Sequence, residues 1–295
     1  MGKVFFRNTF MDLSVVIPVY NGADFISESI HLLHGYLSKE MHAKFEIVVV
    51  DDGSSDNTKY ILDTLGLPNV RVISLPQNQG KFGALSAGIM AAVGRCRIFT
   101  DADIPYDLDA FKYIFQQIDE RSFHLVVGDR TLLYSEYAQR LSPVRALTTR
   151  LFSFFVRMFV VGGLFDTQCG LKGLRGDVAS AIFPLLKDKG FSGDVELLYV
   201  ALKYNLEIKR IPVRLRRSAS SSVSVLGQGG KMLSRIMALR FTWSAGGYQS
   251  DVLSVLADQR YWNSGGAMSH ADMRLSSEAS QKPIRGATKE FPVSH

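Results

Sequence analysis

The chain has 295 residues, 46% hydrophobic and 21% charged, which excludes a disordered or collagen-like polypeptide and suffices for one large buried core, alone or with a small appendage. Its formal net charge of +6 is unevenly spread: Lys203 to Arg240 holds nine Lys or Arg against one acid, Glu207, while Tyr137 to Phe165 holds Arg140, Arg145, Arg150 and Arg157 against none. Such asymmetry points to an anionic partner, among the phosphates of a small ligand, anionic lipid head groups or nucleic acid. Cys96 and Cys169 have no metal-ligand spacing and read as buried fillers of a protein kept in a reducing compartment. No segment reaches the roughly 18 apolar residues of a spanning helix, and Met1 to Phe10 lacks the apolar core of a signal peptide. The chain is therefore expected to stay on the cytoplasmic side, where it is made.

In chain order, Leu13 to Val19 is a continuous apolar run of strand length, the mark of a strand covered on both faces. Tyr20-Asn21-Gly22 turns it, and Asp24 is the expected N-cap of a helix whose Ile26, Ile30, Leu33 and Leu37 share one face. A second strand, Phe45 to Val50, ends in Asp51-Asp52-Gly53-Ser54-Ser55-Asp56, after which Tyr60, Ile61 and Leu65 mark a helix. The unit recurs with strand Val70 to Leu75 and a small-residue helix from Gly83 to Val93, then with Arg97 to Thr100 and a helix over Leu108 to Glu120, then with strand His124 to Val127. This alternation predicts an open α/β sheet of mainly parallel strands with right-handed crossovers. Ligands bind such sheets beyond the carboxyl ends of the strands, where Asp51, Asp52, Asp101 and Asp103 all fall. Neither GxGxxG nor GxxxxGK[ST] follows the first strand, which argues against a dinucleotide or P-loop site.

The chemistry-bearing stretch is Phe99 to Pro105, FTDADIP. Side chains at i and i+2 of an extended segment point the same way, so Asp101 and Asp103 are expected to converge. Two carboxylates that close suit a hard divalent cation, Mg²⁺ or Mn²⁺, completed by water and substrate phosphates. A plain Asp-rich turn capping the next helix would explain the pair equally well. The six histidines are scattered, and His31 with His34 at i, i+3 has no third ligand beside it, so a surface or core role outweighs metal binding.

The succession VVIPVYN (Val15 to Asn21), VVVDDGSSDNT (Val48 to Thr58), NQGKFGALSAGI (Asn78 to Ile89), FTDAD (Phe99 to Asp103), VVGDR (Val126 to Arg130) and DTQCGLKGLR (Asp166 to Arg175) resembles the family 2 glycosyltransferases of GT-A fold. Among them it is most similar to the polyprenyl-phosphate hexosyltransferases of the dolichyl-phosphate glucosyltransferase type. The resemblance implies a nucleotide-sugar donor, UDP-glucose first, and a polyprenyl phosphate acceptor, with no nucleic acid involved. It implies that Asp51 and Asp52 contact the nucleoside, with Pro18 and Tyr20 beside them and Lys81 near the nucleotide. Asp101 and Asp103 become the metal and diphosphate motif. Arg130, Arg145 and Arg150 fall where relatives hold the acceptor phosphate, and Arg216 with Ser221 and Ser222 in a segment that closes over the donor. Asp194 matches the region of the general base of hydroxyl-glycosylating relatives. A phosphate acceptor needs no base, so Asp194 is expected to cap its helix or orient the arginines. Pro105 stands where the mannosyl relatives carry Gln, which leans away from that type.

The GT-A domain is expected over residues 1–243, a short helical extension over 244–262 and a flexible, Ser- and Gly-rich tail over 263–295. Leu147, Leu151, Phe154, Phe155, Met158 and Phe159 form an apolar stripe flanked by Arg150 and Arg157. In the family context this reads as an interfacial helix over 147–165 rather than plain core, and 231–243 has the same character. The expected setting is the cytoplasmic face of an anionic membrane, held by these helices or by a separate anchoring subunit. Two other functions stay open: transfer to a sugar hydroxyl, and nucleotide-sugar binding without turnover.

Overall fold

The computed structural model describes residues 11–132, 135, 166–167, 169–190, 192–216 and 238–257. Its frame is a sheet of seven strands: β1 (Leu13–Val19), β2 (Phe45–Asp51), β3 (Val70–Ser74), β4 (Cys96–Phe99), β5 (Leu125–Asp129), β6 (Lys172–Arg175) and β7 (Ile208–Pro212), in the order β3-β2-β1-β4-β6-β5-β7. Strands β3, β2, β1 and β4 run parallel, as do β5 and β7. β6 is antiparallel to both of its neighbours, with Phe99 opposite Lys172. Reversing β6 brings its first residue, rather than its last, to the edge where β4 and β5 end.

The helices are α1 (Ile26–Glu40), α2 (Thr58–Asp63), α3 (Lys81–Ala91), α4 (Asp109–Asp119), α5 (Gly176–Ile182), α6 (Gly193–Lys203) and α7 (Asp251–Leu256). They cover both faces of the sheet, which is why β1 from Val15 on and β2 from Ile47 to Val50 are apolar runs instead of alternating. Val16, Val48, Val50, Phe99, Leu125 and Val127 pack in one buried cluster with residues of α3, α5 and α6. Leu13, Val15, Ile17, Ile47, Val49, Ile98 and Val126 pack in the other with residues of α1 and α4. The small face of α3 is explained by closeness: a Cβ on Gly88 would collide with Val16 and Val50.

Cys96 and Cys169 are buried free thiols, as expected for fillers. His31 bonds the Ser27 carbonyl and His34 the Pro68 carbonyl, and no cluster of three or more metal-ligating side chains occurs among the described residues. Asp24 does not cap α1. The cap position is Phe25, and the Gly22 carbonyl takes the Phe25 and Ile26 N–H groups, because the preceding turn is tied down by Gly22 N–H donating to Thr58 Oγ1.

Of the segments expected at a membrane interface, 147–165 and 231–237 lie outside the described residues. Residues 238–244 are helical, with Leu239 buried in the first cluster and Phe241 78% exposed. Tyr248, Leu253 and Leu256 join the same cluster, so residues 244–257 share the core of the sheet. No described helix is long and apolar enough to cross a membrane.

Candidate active site

The acidic loops all gather at one edge of the sheet, because β1, β2, β4 and β5 point their carboxyl ends the same way. The loop after β2 braces the loop after β1: Asn21 N–H donates to Ser54 Oγ (2.9 Å), Ser55 N–H to Asn21 Oδ1 (2.8 Å) and Ala23 N–H to Asp56 Oδ2 (3.1 Å). Pro18 is buried within β1, while Tyr20 stands half exposed at the rim. Asp51 and Asp52 are both buried. Asp51 accepts the Ser54 N–H, and the two oxygens of Asp52 accept the N–H groups of Gln79 (2.7 Å) and Gly80 (2.9 Å). Asp52 therefore anchors the entry to α3. Burial raises its pKa against the pull of those two N–H donors.

Asp101 and Asp103 do not lie on an extended segment. The Asp101 carbonyl accepts the Ile104 N–H (3.0 Å), closing a turn, and Ile104 sits at φ +42, a left-handed conformation that costs a β-branched residue on the order of 1–3 kcal/mol. Burial of Ile104 and a backbone strap from the far end of the chain hold it there: Arg216 N–H donates to the Pro105 carbonyl (2.7 Å) and Asp107 N–H to that of Arg214 (2.9 Å). Arg216 is thus brought beside the motif with its side chain exposed. The helix-capping explanation of the pair fails, since α4 begins after Leu108 with no side-chain cap.

Three ion pairs surround the turn. Lys81 Nζ meets Asp101 Oδ1 at 2.6 Å, Lys172 Nζ meets Asp194 Oδ1 at 2.5 Å, and Arg130 grips Asp166 through Nε (2.7 Å) and Nη2 (2.8 Å). The charges reach across pairs. Burial works against ionisation of Asp101, but Lys81, then Lys172 and Arg130, outweigh it and hold its carboxyl below the usual range. Burial likewise opposes the charge on Lys81, and Asp101 and Asp194 override it to raise its pKa. For Arg130 the Asp166 carboxylate overrides burial in the same way.

Asp194 is not a helix cap. It lies inside the first turn of α6, 3% exposed, and no side chain caps that helix. Its partner Lys172 is wholly buried, donates also to the Cys169 carbonyl (2.6 Å) and lies over the Phe99 ring. Lys172, Asp166, Tyr106 and Gly170 were not singled out in the sequence, although three of them belong to the DTQCGLKGLR stretch. Lys172 belongs to a four-residue strand, Lys-Gly-Leu-Arg, that carries no apolar run to mark it as buried. Arg145, Arg150 and Ser222 lie outside the described residues.

The residues at the turn suit a divalent ion. Asp101 and Asp103 are half-buried, all-oxygen donors. Bare backbone passes Asp101 at Gly170, where a Cβ would overlap the carboxylate, and Tyr106 Oη fixes that glycine by accepting its N–H (2.8 Å). Thr100 Oγ1, one residue before Asp101, is buried with no hydrogen-bond partner among the described residues.

An open, mainly parallel sheet presenting paired aspartates and buried cations at its carboxyl edge is consistent in architecture with the GT-A fold. The fold is shared with glucosyl-3-phosphoglycerate synthase of Mycobacterium tuberculosis: the complex with UDP superposes with a TM-score of 0.57 at 20% identity over 78% of each chain. The complex of that enzyme with Mn²⁺, UDP-glucose and phosphoglyceric acid gives 0.57 at 18% identity over 79% of each. The chain belongs to glycosyl transferase family 2, whose sequence profile matches residues 14–183. It is 30% identical over 246 residues to the dolichyl-phosphate beta-glucosyltransferase of Dictyostelium discoideum, covering 79% of this chain and 75% of that one. The enzymes of that name from Saccharomyces cerevisiae (29% identity, 81% and 77% covered) and Homo sapiens (28%, 80% and 77%) are similar.

Proposed function

We propose that this glycosyltransferase moves glucose from UDP-glucose to a polyprenyl monophosphate of the dolichyl phosphate type, inverting the anomeric centre, at the cytoplasmic face of a membrane. The observation that carries the reading is the cation-ringed Asp101–Asp103 turn, in a chain similar over about four-fifths of its length to dolichyl-phosphate beta-glucosyltransferases. Mg²⁺ or Mn²⁺ held by Asp101 and Asp103 would supply Lewis-acid stabilisation of the leaving diphosphate. Support for the ion comes from the fit of those two carboxylates and from the Mn²⁺ of the structural neighbour.

The chain's own groups do the remaining work. Lys81, within reach of Asp101, places positive charge beside the departing phosphates. Asp52 fixes the turn that delivers Lys81, and Pro18, Tyr20 and Asp51 form the nucleoside end of the edge. Arg130, locked by Asp166, directs its charge toward the acceptor phosphate with Arg145 and Arg150, while Arg216 and Ser222 close over the donor. A phosphate monoester is largely dianionic near neutral pH and attacks without a base. Asp194, bound in a buried ion pair, suits that mechanism as a structural acid. The interfacial segments or an anchoring subunit would hold the enzyme at the lipid.

A panel of radiolabelled nucleotide sugars with membranes and pure protein, followed by extraction into organic solvent, tests the reading. Label from UDP-glucose should enter the lipid fraction in preference to GDP-mannose. Label that stays in water refutes it.

A further inference from the structure

We infer that Glu196 and Tyr248 are positioning residues that hold Lys81 at Asp101 through the loop at 187–190. Glu196 is 1% exposed and takes no part in the chemistry above. Its carboxylate accepts the N–H groups of Lys187 (3.0 Å) and Asp188 (2.8 Å) and the hydroxyl of Tyr248 (2.5 Å), so the charge is solvated wholly by these donors. The loop thus held turns back through Gly190 N–H donating to Asp188 Oδ1 (2.7 Å) and presents the Lys189 carbonyl to the start of α3. That carbonyl accepts the N–H groups of Phe82 (2.9 Å) and Gly83 (3.2 Å), two of the donors a helix start leaves without intrahelical partners.

From the other side Asp52 accepts the N–H groups of Gln79 and Gly80. Lys81 therefore sits between two clamps that fix the peptide on both sides of it. The fit is tight: Gly80, at φ +87, would bring a Cβ within 2.5 Å of the Lys189 carbonyl oxygen. Tyr248 is held in turn, since Tyr204 Oη donates to its carbonyl (2.7 Å) and accepts the Ser250 N–H (2.7 Å), while Trp243 stacks on its ring. The segment at 238–257 so reaches the metal motif through four successive contacts: Tyr248 to Glu196, Glu196 to the 187–190 loop, that loop to the first turn of α3, and Lys81 of that turn to Asp101.

This inference rests on the proposed donor chemistry, and its test uses the full chain with UDP and Mn²⁺ as the probe. Tyr248→Phe, which removes one hydroxyl, should weaken Mn²⁺-dependent UDP binding by about fivefold, the scale of coupling within one hydrogen-bond network. In a Lys81→Met background the same substitution should have no further effect. Hydrogen exchange should quicken in peptides covering 187–190 and 79–84, while β2 and β4 keep their protection. Glu196→Gln should do the same more strongly. Additive losses in the two backgrounds, or unchanged exchange at 79–84, would overturn the positioning role even if UDP binds. A wild type that fails to bind UDP with Mn²⁺ would refute the donor reading and this inference with it.

Discussion

Replacing Lys172 by Met separates the structural from the chemical part of the site. The Lys172 side chain is 0% exposed and that of Asp194 4%, at 2.5 Å, so either single substitution strands a buried charge. Breaking such a pair costs about 3–5 kcal/mol, whereas replacing both members by apolar groups of similar volume is often neutral. At about 2–4 °C per kcal/mol for a protein of this size, Lys172→Met and Asp194→Leu should each lower Tm by about 6–20 °C. The double variant should recover most of that loss in calorimetry or circular dichroism melts. Its activity then bears on mechanism: if Asp194 is not a base, lipid transfer should fall by about tenfold or less, against the 10²–10⁴-fold typical of a lost general base. Single variants within about 2 °C of wild type, or a double variant as unstable as the worse single, would refute the ion-pair argument. A loss well beyond a hundredfold at recovered stability and normal donor binding would restore Asp194 as a base and favour a hydroxyl acceptor.

Asp103→Asn should abolish transfer and Mn²⁺-dependent UDP binding with little change in Tm; full activity in excess chelator would contradict it. Gly170→Ala puts a methyl against the Asp101 carboxylate and should weaken Mn²⁺-dependent UDP binding by about tenfold or more, measured by calorimetry, whereas unchanged binding would free Asp101 of that wall. Arg145→Ala or Arg150→Ala should raise the KM for the lipid acceptor far more than that for the donor, and equal effects on both would remove them from the acceptor site. His124 is buried, donating from Nε2 to the Leu256 carbonyl and accepting the Glu207 N–H at Nδ1, and burial, with the nearby Arg175, depresses its pKa. The unfolded chain then takes up a proton near pH 6.5 that the folded chain refuses. Stability should fall as pH drops below about 6.5, by at most about 1.4 kcal/mol per unit, until the folded pKa is reached. His124→Gln should flatten that slope between pH 7 and pH 5; parallel curves would refute it.

β1 and β2 were legible because a strand buried on two faces is written as a near-continuous apolar run, Val15 to Val19 and Ile47 to Val50, and the acids that follow β2 mark the edge where the sheet ends. β6 and β7 were not. Lys172-Gly173-Leu174-Arg175 is short and half charged, and its Lys172 is apolar only in its setting, neutralised by an acid 22 residues away. Asp101 and Asp103 were read as lying on an extended segment, and the chain turns there instead. No local pattern announces a left-handed Ile104, which is held by its burial and by the backbone of Arg214 and Arg216, more than a hundred residues on. Asp24 misled for a related reason: its cap position is taken by Phe25 once Thr58 has tied the Gly22 turn, a contact that only the folded chain makes.

The most direct measurement compares acceptors with one pure protein. Full-length enzyme, UDP-[¹⁴C]glucose and Mn²⁺ are incubated in detergent with dolichyl phosphate or with dolichol, and the organic phase is counted. The phosphate-acceptor account expects label with dolichyl phosphate only, released as glucose by mild acid and lost in Asp101→Asn. Equal labelling of dolichol, or transfer to a water-soluble sugar with no need for lipid, would contradict it.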